Sequence, residues 1–207
     1  MSHTYIGLFD SYQDAQTAVH DLEAAGVPHA DVAVVSSNAT GEHAVGDKSS
    51  GKKADEAGDD AGKGATVGTV IGGAGGLLAG LGLLAIPGLG PVVAAGWLAS
   101  SAVGALAGAV VGGAAGGLVG ALTHAGVNEQ DAHVYAEGVR RGGTVVSAKT
   151  DDAHMEVARS VLHGSRAVDI INRRSAYQSE GWSRFDDTAA AYTPDQVAAE
   201  RARYARI

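Results

Sequence analysis

Residues 64–124 read GATVGTVIGGAGGLLAGLGLLAIPGLGPVVAAGWLASSAVGALAGAVVGGAAGGLVGALTH, and from Gly64 through Thr123 none is Asp, Glu, Lys or Arg. Glycine recurs every fourth residue at Gly64, Gly68, Gly72, Gly76 and Gly80, and again at Gly104, Gly108, Gly112, Gly116 and Gly120. On a helix, positions i and i+4 share a face, so each run forms a groove without side chains that another backbone can approach closely. Between the runs stands Ile86-Pro87-Gly88-Leu89-Gly90-Pro91, whose prolines and glycines cannot continue a helix. The pattern predicts an all-α glycine-zipper hairpin over 64–124, with its turn at 87–91 made by Pro87, Gly88, Gly90 and Pro91. Antiparallel closure about Gly90 would pair Gly80 with Ser100, Gly76 with Gly104, Gly72 with Gly108, Gly68 with Gly112 and Gly64 with Gly116.

Glycine in an exposed helix interior costs roughly 1 kcal/mol relative to alanine, so such a hairpin needs neighbours or lipid around it. The first arm, of about 23 residues, would span roughly 34 Å, enough to cross a bilayer core. The second arm is longer than one crossing requires. Insertion in the inner (cytoplasmic) membrane is therefore one expectation. The buried centre of a soluble homo-oligomer is the other, with Leu77, Leu81, Leu84 and Leu118 packing between subunits. Lys48, Lys52, Lys53 and Lys63 precede the block and Arg140 and Arg141 follow it, but interspersed acidic residues leave the orientation undecided.

Outside the block the chain reads as an ordinary folded domain. Thr4–Phe9 is rich in β-formers and stops at Asp10-Ser11, where Ser11 can cap a helix reaching about Ala25, with Ala15, Ala18, Val19 and Leu22 as its buried stripe. A strand over Val32–Ser36 follows. Residues 38–63 are polar and rich in Gly, Ser, Asp and Lys, the composition of a flexible linker. After the block come a helix from about Asn128 to Arg141, a strand over Thr144–Lys149, a helix ending near Gly164 and a strand over Ala167–Ile171. The expected class is α+β: a ferredoxin-like split βαβ sandwich, its first half at 1–37 and a helix plus the second half at 125–172, interrupted by the zipper. The tail, 173–207, is expected to end in a short helix begun by Thr193-Pro194-Asp195-Gln196, with Trp182, Phe185 and Tyr192 tethering it to a surface.

Composition narrows the function. The formal charge of -8 disfavours nucleic acid as a partner, because phosphate binding needs a basic surface. The absence of cysteine removes disulfides and thiolate metal sites. The N-terminus lacks a basic and then apolar leader, so the folded part is expected in the cytoplasm. Gly46–Lys52 has P-loop spacing, but Lys53 stands where a hydroxyl would hold magnesium. Gly80–Ala85 matches a relaxed dinucleotide fingerprint only by letter. The eight histidines never fall at i+3 or i+4 from one another, and the Asp59-Asp60, Asp151-Asp152 and Asp186-Asp187 pairs read as solvated charges. The expectation is a protein without catalytic residues, cofactor or metal.

The stretches TYIGLFDSYQDAQTAVHDLEAAGV and VNEQDAHVYAEGVRRGGTVVSAKTDDAHMEVARSVL, with the zipper between them and the tail GWSRFDDTAAAYTPDQVAAERARY, resemble bacterial general stress proteins that carry a YflT-like, heat-induced stress domain. The resemblance implies a role in the stress response and brings no catalytic residues or substrate with it. The sequence thus points to a non-enzymatic protein whose partners are itself and membrane lipid. A small-ligand sensor built on paired ferredoxin-like sheets is the alternative.

Overall fold

The computed structural model describes residues 3–41, 82–99 and 117–204. Strand β1 (His3–Phe9) leads into helix α1 (Tyr12–Ala24), where the Ser11 hydroxyl accepts from Asp14 N–H at 3.4 Å and closes the first turn. A short 3-10 turn (His29–Asp31) delivers β2 (Val32–Ser37), followed by β3 (Gly82–Ile86), β4 (Gly90–Ala95) and helices α2 (Gly117–His124) and α3 (Glu129–Arg140). Then come β5 (Thr144–Thr150), α4 (Met155–Leu162), α5 (Ile170–Ser179) and α6 (Pro194–Tyr204). The five strands form one antiparallel sheet in the order β1-β5-β2-β4-β3.

Alternation along the strands feeds two cores. Ile6, Leu8, Ala33, Val35 and Val145 meet Leu118, Leu122, Tyr135 and Val139 of α2 and α3 on one face. Phe9, Val32, Val34, Val146 and Ala148 meet Ala18, Val19, Leu22, Ala158 and Leu162 of α1 and α4 on the other. The result is three layers, with helices on both faces of the sheet. Burying both faces requires apolar residues at successive positions, and all six residues of β2 are buried.

Three expectations are corrected. The turn at 87–91 is a turn, but the arms described beside it are strands rather than zipper helices. Ile86 pairs with Gly90 and Gly82 with Ala94, which centres the hairpin on Gly88 instead of Gly90. The reason is local: Val92 and Val93 are β-branched, Pro91 sits at the start of β4, and its carbonyl accepts from Asn38 N–H at 2.8 Å. Of the glycines assigned to helix packing, only Gly120, within α2, is described. Gly64, Gly68, Gly72, Gly76, Gly80, Ser100, Gly104, Gly108, Gly112 and Gly116 lie outside the described residues, as does the linker beyond Gly41.

The second correction concerns Ala167–Ile171, which does not form a strand. Val168 N–H donates one bond to the Leu8 carbonyl at 2.7 Å, and the chain then turns into α5. Asp169 accounts for the switch, its carboxylate accepting from Ile171 N–H at 2.9 Å and Asn172 N–H at 3.0 Å. Asp169→Ala should cost about 1 kcal/mol, the usual worth of such a cap, in thermal unfolding; a loss below about 0.3 kcal/mol would contradict this role for the cap.

The third correction follows from the first two. β5 lies between β1 and β2, as the split βαβ arrangement requires, but among the described residues no fourth strand pairs beside β1, and the β3–β4 hairpin extends the opposite edge.

Candidate functional site

Glu137 and Arg141 occupy positions i and i+4 at the end of α3, and their side chains meet at 2.7 Å with Glu137 1% and Arg141 8% exposed. Such buried charges persist only when every partner is supplied. The C-terminal segment adds partners for the arginine: Arg141 also donates to Glu180 at 2.7 Å and to Glu200 at 3.3 Å, and its guanidinium lies 4.1 Å from the Tyr177 ring centroid. Burial would lower the Arg141 pKa, but the hydrogen bonds to Glu180 and Glu137 carry it above the ordinary guanidinium value. Burial opposes ionisation of Glu180, yet Arg141 and Arg203 hold its carboxyl below the usual range.

A second guanidinium repeats the design. Arg173 of α5, also 8% exposed, grips Asp10 with two parallel bonds of 2.7 and 2.6 Å and lies 3.7 Å from the Tyr204 ring centroid. Tyr177, fully buried between the two arginines, has its pKa pushed up by burial. The cluster thus ties α3 and the end of β1 to both C-terminal helices. Its guanidiniums are held by carboxylates and rings of several elements.

The tail residues expected to anchor lie along the same path. Trp182 stacks edge-on against Tyr177 at 5.6 Å, Phe185 is buried in the core on the α2–α3 side, and Tyr192 receives the Arg140 and Arg141 guanidiniums at 5.0 and 5.8 Å. Phe185 reaches the hairpin turn. A Cβ placed on Gly88 would come within 2.7 Å of Asp187 Cα and 2.9 Å of Phe185 Cζ, and Gly88 has a φ of 73°. A Cβ on Gly90 would lie 2.7 Å from the Ala191 Cβ. The tail therefore packs against Gly88 and Gly90 of the turn, while Pro87 and Pro91 are exposed.

The sequence reading missed Arg141, Arg173, Glu137, Glu180, Glu200 and Tyr177. The Glu137/Arg141 spacing carried the first pair; the others come together only through tertiary contacts. Beside the cluster is an open cleft of about 940 Å³, lined by Asp10, Ser11, Tyr12, Arg166, Arg201 and Tyr204. Asp10 is engaged by Arg173 and Arg166 by Asp21. Among the described residues no His, Asp and Glu group could hold a metal ion, and no helix is long and apolar enough to cross a membrane.

A family model covers Thr4 to Leu83, taking in β1, α1 and β2 and reaching the first residues of β3. It is the heat induced stress protein YflT domain. The YflT match spans less than half of the chain and stops short of β5, the strand that separates β1 from β2. The three-layer unit is therefore larger than the matched segment. A YflT-like general stress protein is what the match supports. No curated protein and no solved structure matches the chain.

Proposed function

We propose that this YflT-like chain is a non-enzymatic stress-response protein that self-associates through its two glycine runs. The observation carrying this reading is the fourfold spacing of glycine on both sides of one hairpin, in a block free of charge from Gly64 through Thr123. Such grooves lower the cost of helix interiors rich in glycine only when another backbone fills them. Assembly between copies accounts for the block better than a two-span membrane hairpin does. The turn such a hairpin would place across the bilayer is instead packed under Phe185, in the sheet of the folded domain.

Sedimentation velocity without detergent tests this. The parent is expected to sediment above its 20.6 kDa monomer, and Gly72→Leu or Gly108→Leu to weaken assembly at least about tenfold, roughly 1.4 kcal/mol, with the domain's circular dichroism unchanged. A monomeric parent, a parent recovered only with membranes, or variants that assemble like the parent would contradict the reading.

A further inference from the structure

The two edges of the sheet are finished differently. At β1 the chain that follows α4 takes up the outward carbonyls: Val168 N–H donates to Leu8 O at 2.7 Å, and the His163 imidazole meets Ile6 O at 3.1 Å. At β3, none of the described residues pairs with the outer side. Sheet edges are ordinarily blunted by charge, proline or a covering segment. β3 reads Gly-Leu-Leu-Ala-Ile and carries neither charge nor proline, and its Ala85 is exposed.

A single proline fixes which backbone groups face outward. Pro91 has no N–H, and its carbonyl turns toward the β2 side, accepting from Asn38 N–H at 2.8 Å. Ala85, opposite Pro91 in the hairpin, therefore exchanges no bonds with it. Alternation along the antiparallel ladder then gives Gly82, Leu84 and Ile86 to β4, and leaves the N–H and C=O of Leu83 and of Ala85 on the outer edge. Only another extended backbone can meet such a row in register.

We propose that β3 pairs antiparallel with β3 of a second copy about a twofold axis at Leu84, joining the two five-stranded sheets edge to edge. In this register Leu83 of each copy faces Ala85 of the other, so all the outward groups are satisfied mutually. A twofold at Ala85 would instead set Leu83 against Pro87, which has no N–H, and one at Leu83 would set Ala85 against Leu81, which precedes the strand. None of the five residues is charged, so the axis brings no like charges together. Five residues a side make a short contact, and the dimer is accordingly weak and concentration-dependent. The contact does not draw on the glycine runs.

The chain has no cysteine, so single-cysteine variants of the full-length protein report the register directly. Leu84→Cys puts two thiols on Cα atoms about 4.5 Å apart, within the span of a disulfide. Leu83→Cys and Ala85→Cys put them on a diagonal of roughly 7–8 Å, past that span. Under mild oxidation Leu84→Cys is expected to give at least about tenfold more covalent dimer than either neighbour. Adding Ala85→Pro removes an outward N–H without touching the β4 ladder, and should abolish that dimer while amide protection in β2 is kept. Ala85→Lys serves the same purpose if the proline variant fails to fold. Adding Gly72→Leu to Leu84→Cys should leave the dimer in place, which separates this contact from assembly through the glycine runs. No dimer from Leu84→Cys, equal crosslinking at all three positions, or a dimer that survives the Ala85 substitutions would overturn edge pairing. Loss of the dimer with Gly72→Leu would overturn it too, by showing that the runs and not the edge bring the copies together.

Discussion

Arg141→Ala should lose about 3–5 kcal/mol of stability, the range expected when one partner of a buried ion pair is removed. Glu137, 1% exposed, would be left in the interior 3.5 Å from Arg140 but without its closest partner. Glu180 and Glu200 would lose the guanidinium that draws α5 and α6 onto α3, and Tyr177 the cation over its ring. For a chain of this size each kcal/mol moves the midpoint by about 2–4 °C, so Tm should fall by roughly 6–20 °C. Arg141→Lys should recover only part of this, because a point charge cannot serve Glu137, Glu180 and Glu200 at once as a planar fork does. A loss under about 1 kcal/mol for Arg141→Ala would show that the cluster is not what fastens the segment.

Gly88→Val combines two penalties. A φ of 73° is left-handed backbone that a β-branched residue adopts at a cost of about 1–3 kcal/mol. The first added carbon alone would fall 2.7 Å from Asp187 Cα and 2.8 Å from the Asp186 carbonyl, backbone atoms that move only if the tail moves. Overpacking of this kind adds about 1–3 kcal/mol, so the total should be roughly 2–6 kcal/mol unless the tail detaches and relieves the clash. The two penalties separate experimentally. Thermal unfolding gives the total, and amide exchange in α6 shows how much has been relieved by opening. A variant with parental stability and parental exchange would mean that the turn and tail are not in contact.

Much of the architecture was legible where side-chain period and caps agree. Ser11 and the stripe Ala15, Ala18, Val19, Leu22 fixed α1, which starts one residue after the cap, and the helix expected from about Asn128 starts at Glu129 with Asn128 as its cap. β2 and β5 were found from β-branched runs, and differ from expectation only by a residue at the end. The hairpin arms were not legible. Gly82–Ile86 and Gly90–Ala95 are short, uncharged runs embedded in a glycine pattern of helical period, and periodicity alone cannot separate a buried strand from a buried helix. The weight of the glycine spacing carried them into the helical reading, although Val92-Val93 after Pro91 argued locally for a strand.

The stretch after Arg166 failed for a different reason. Ala-Val-Asp-Ile-Ile is β-rich by composition, but an aspartate in its middle is a poor strand residue and a good helix start, and the cap prevailed. The guanidinium cluster was beyond reach because four of its members come from segments separated by 39 to 163 positions in the chain. Only Glu137 and Arg141, one helical turn apart, announced themselves. The aromatic residues of the tail were singled out as anchors without any indication of where they would dock.

The account depends on the middle of the charge-free block being part of the domain's sheet. Amide hydrogen exchange at Val92, Val93, Ala94 and Ala95 in detergent-free solution measures this directly, since β4 lies between β2 and β3 and its N–H groups face a strand on either side. Protection approaching that of Val34 and Val35 in β2 is the predicted result. Exchange at these four positions as fast as in an unfolded peptide, or protection that arises only when lipid is added, would contradict it.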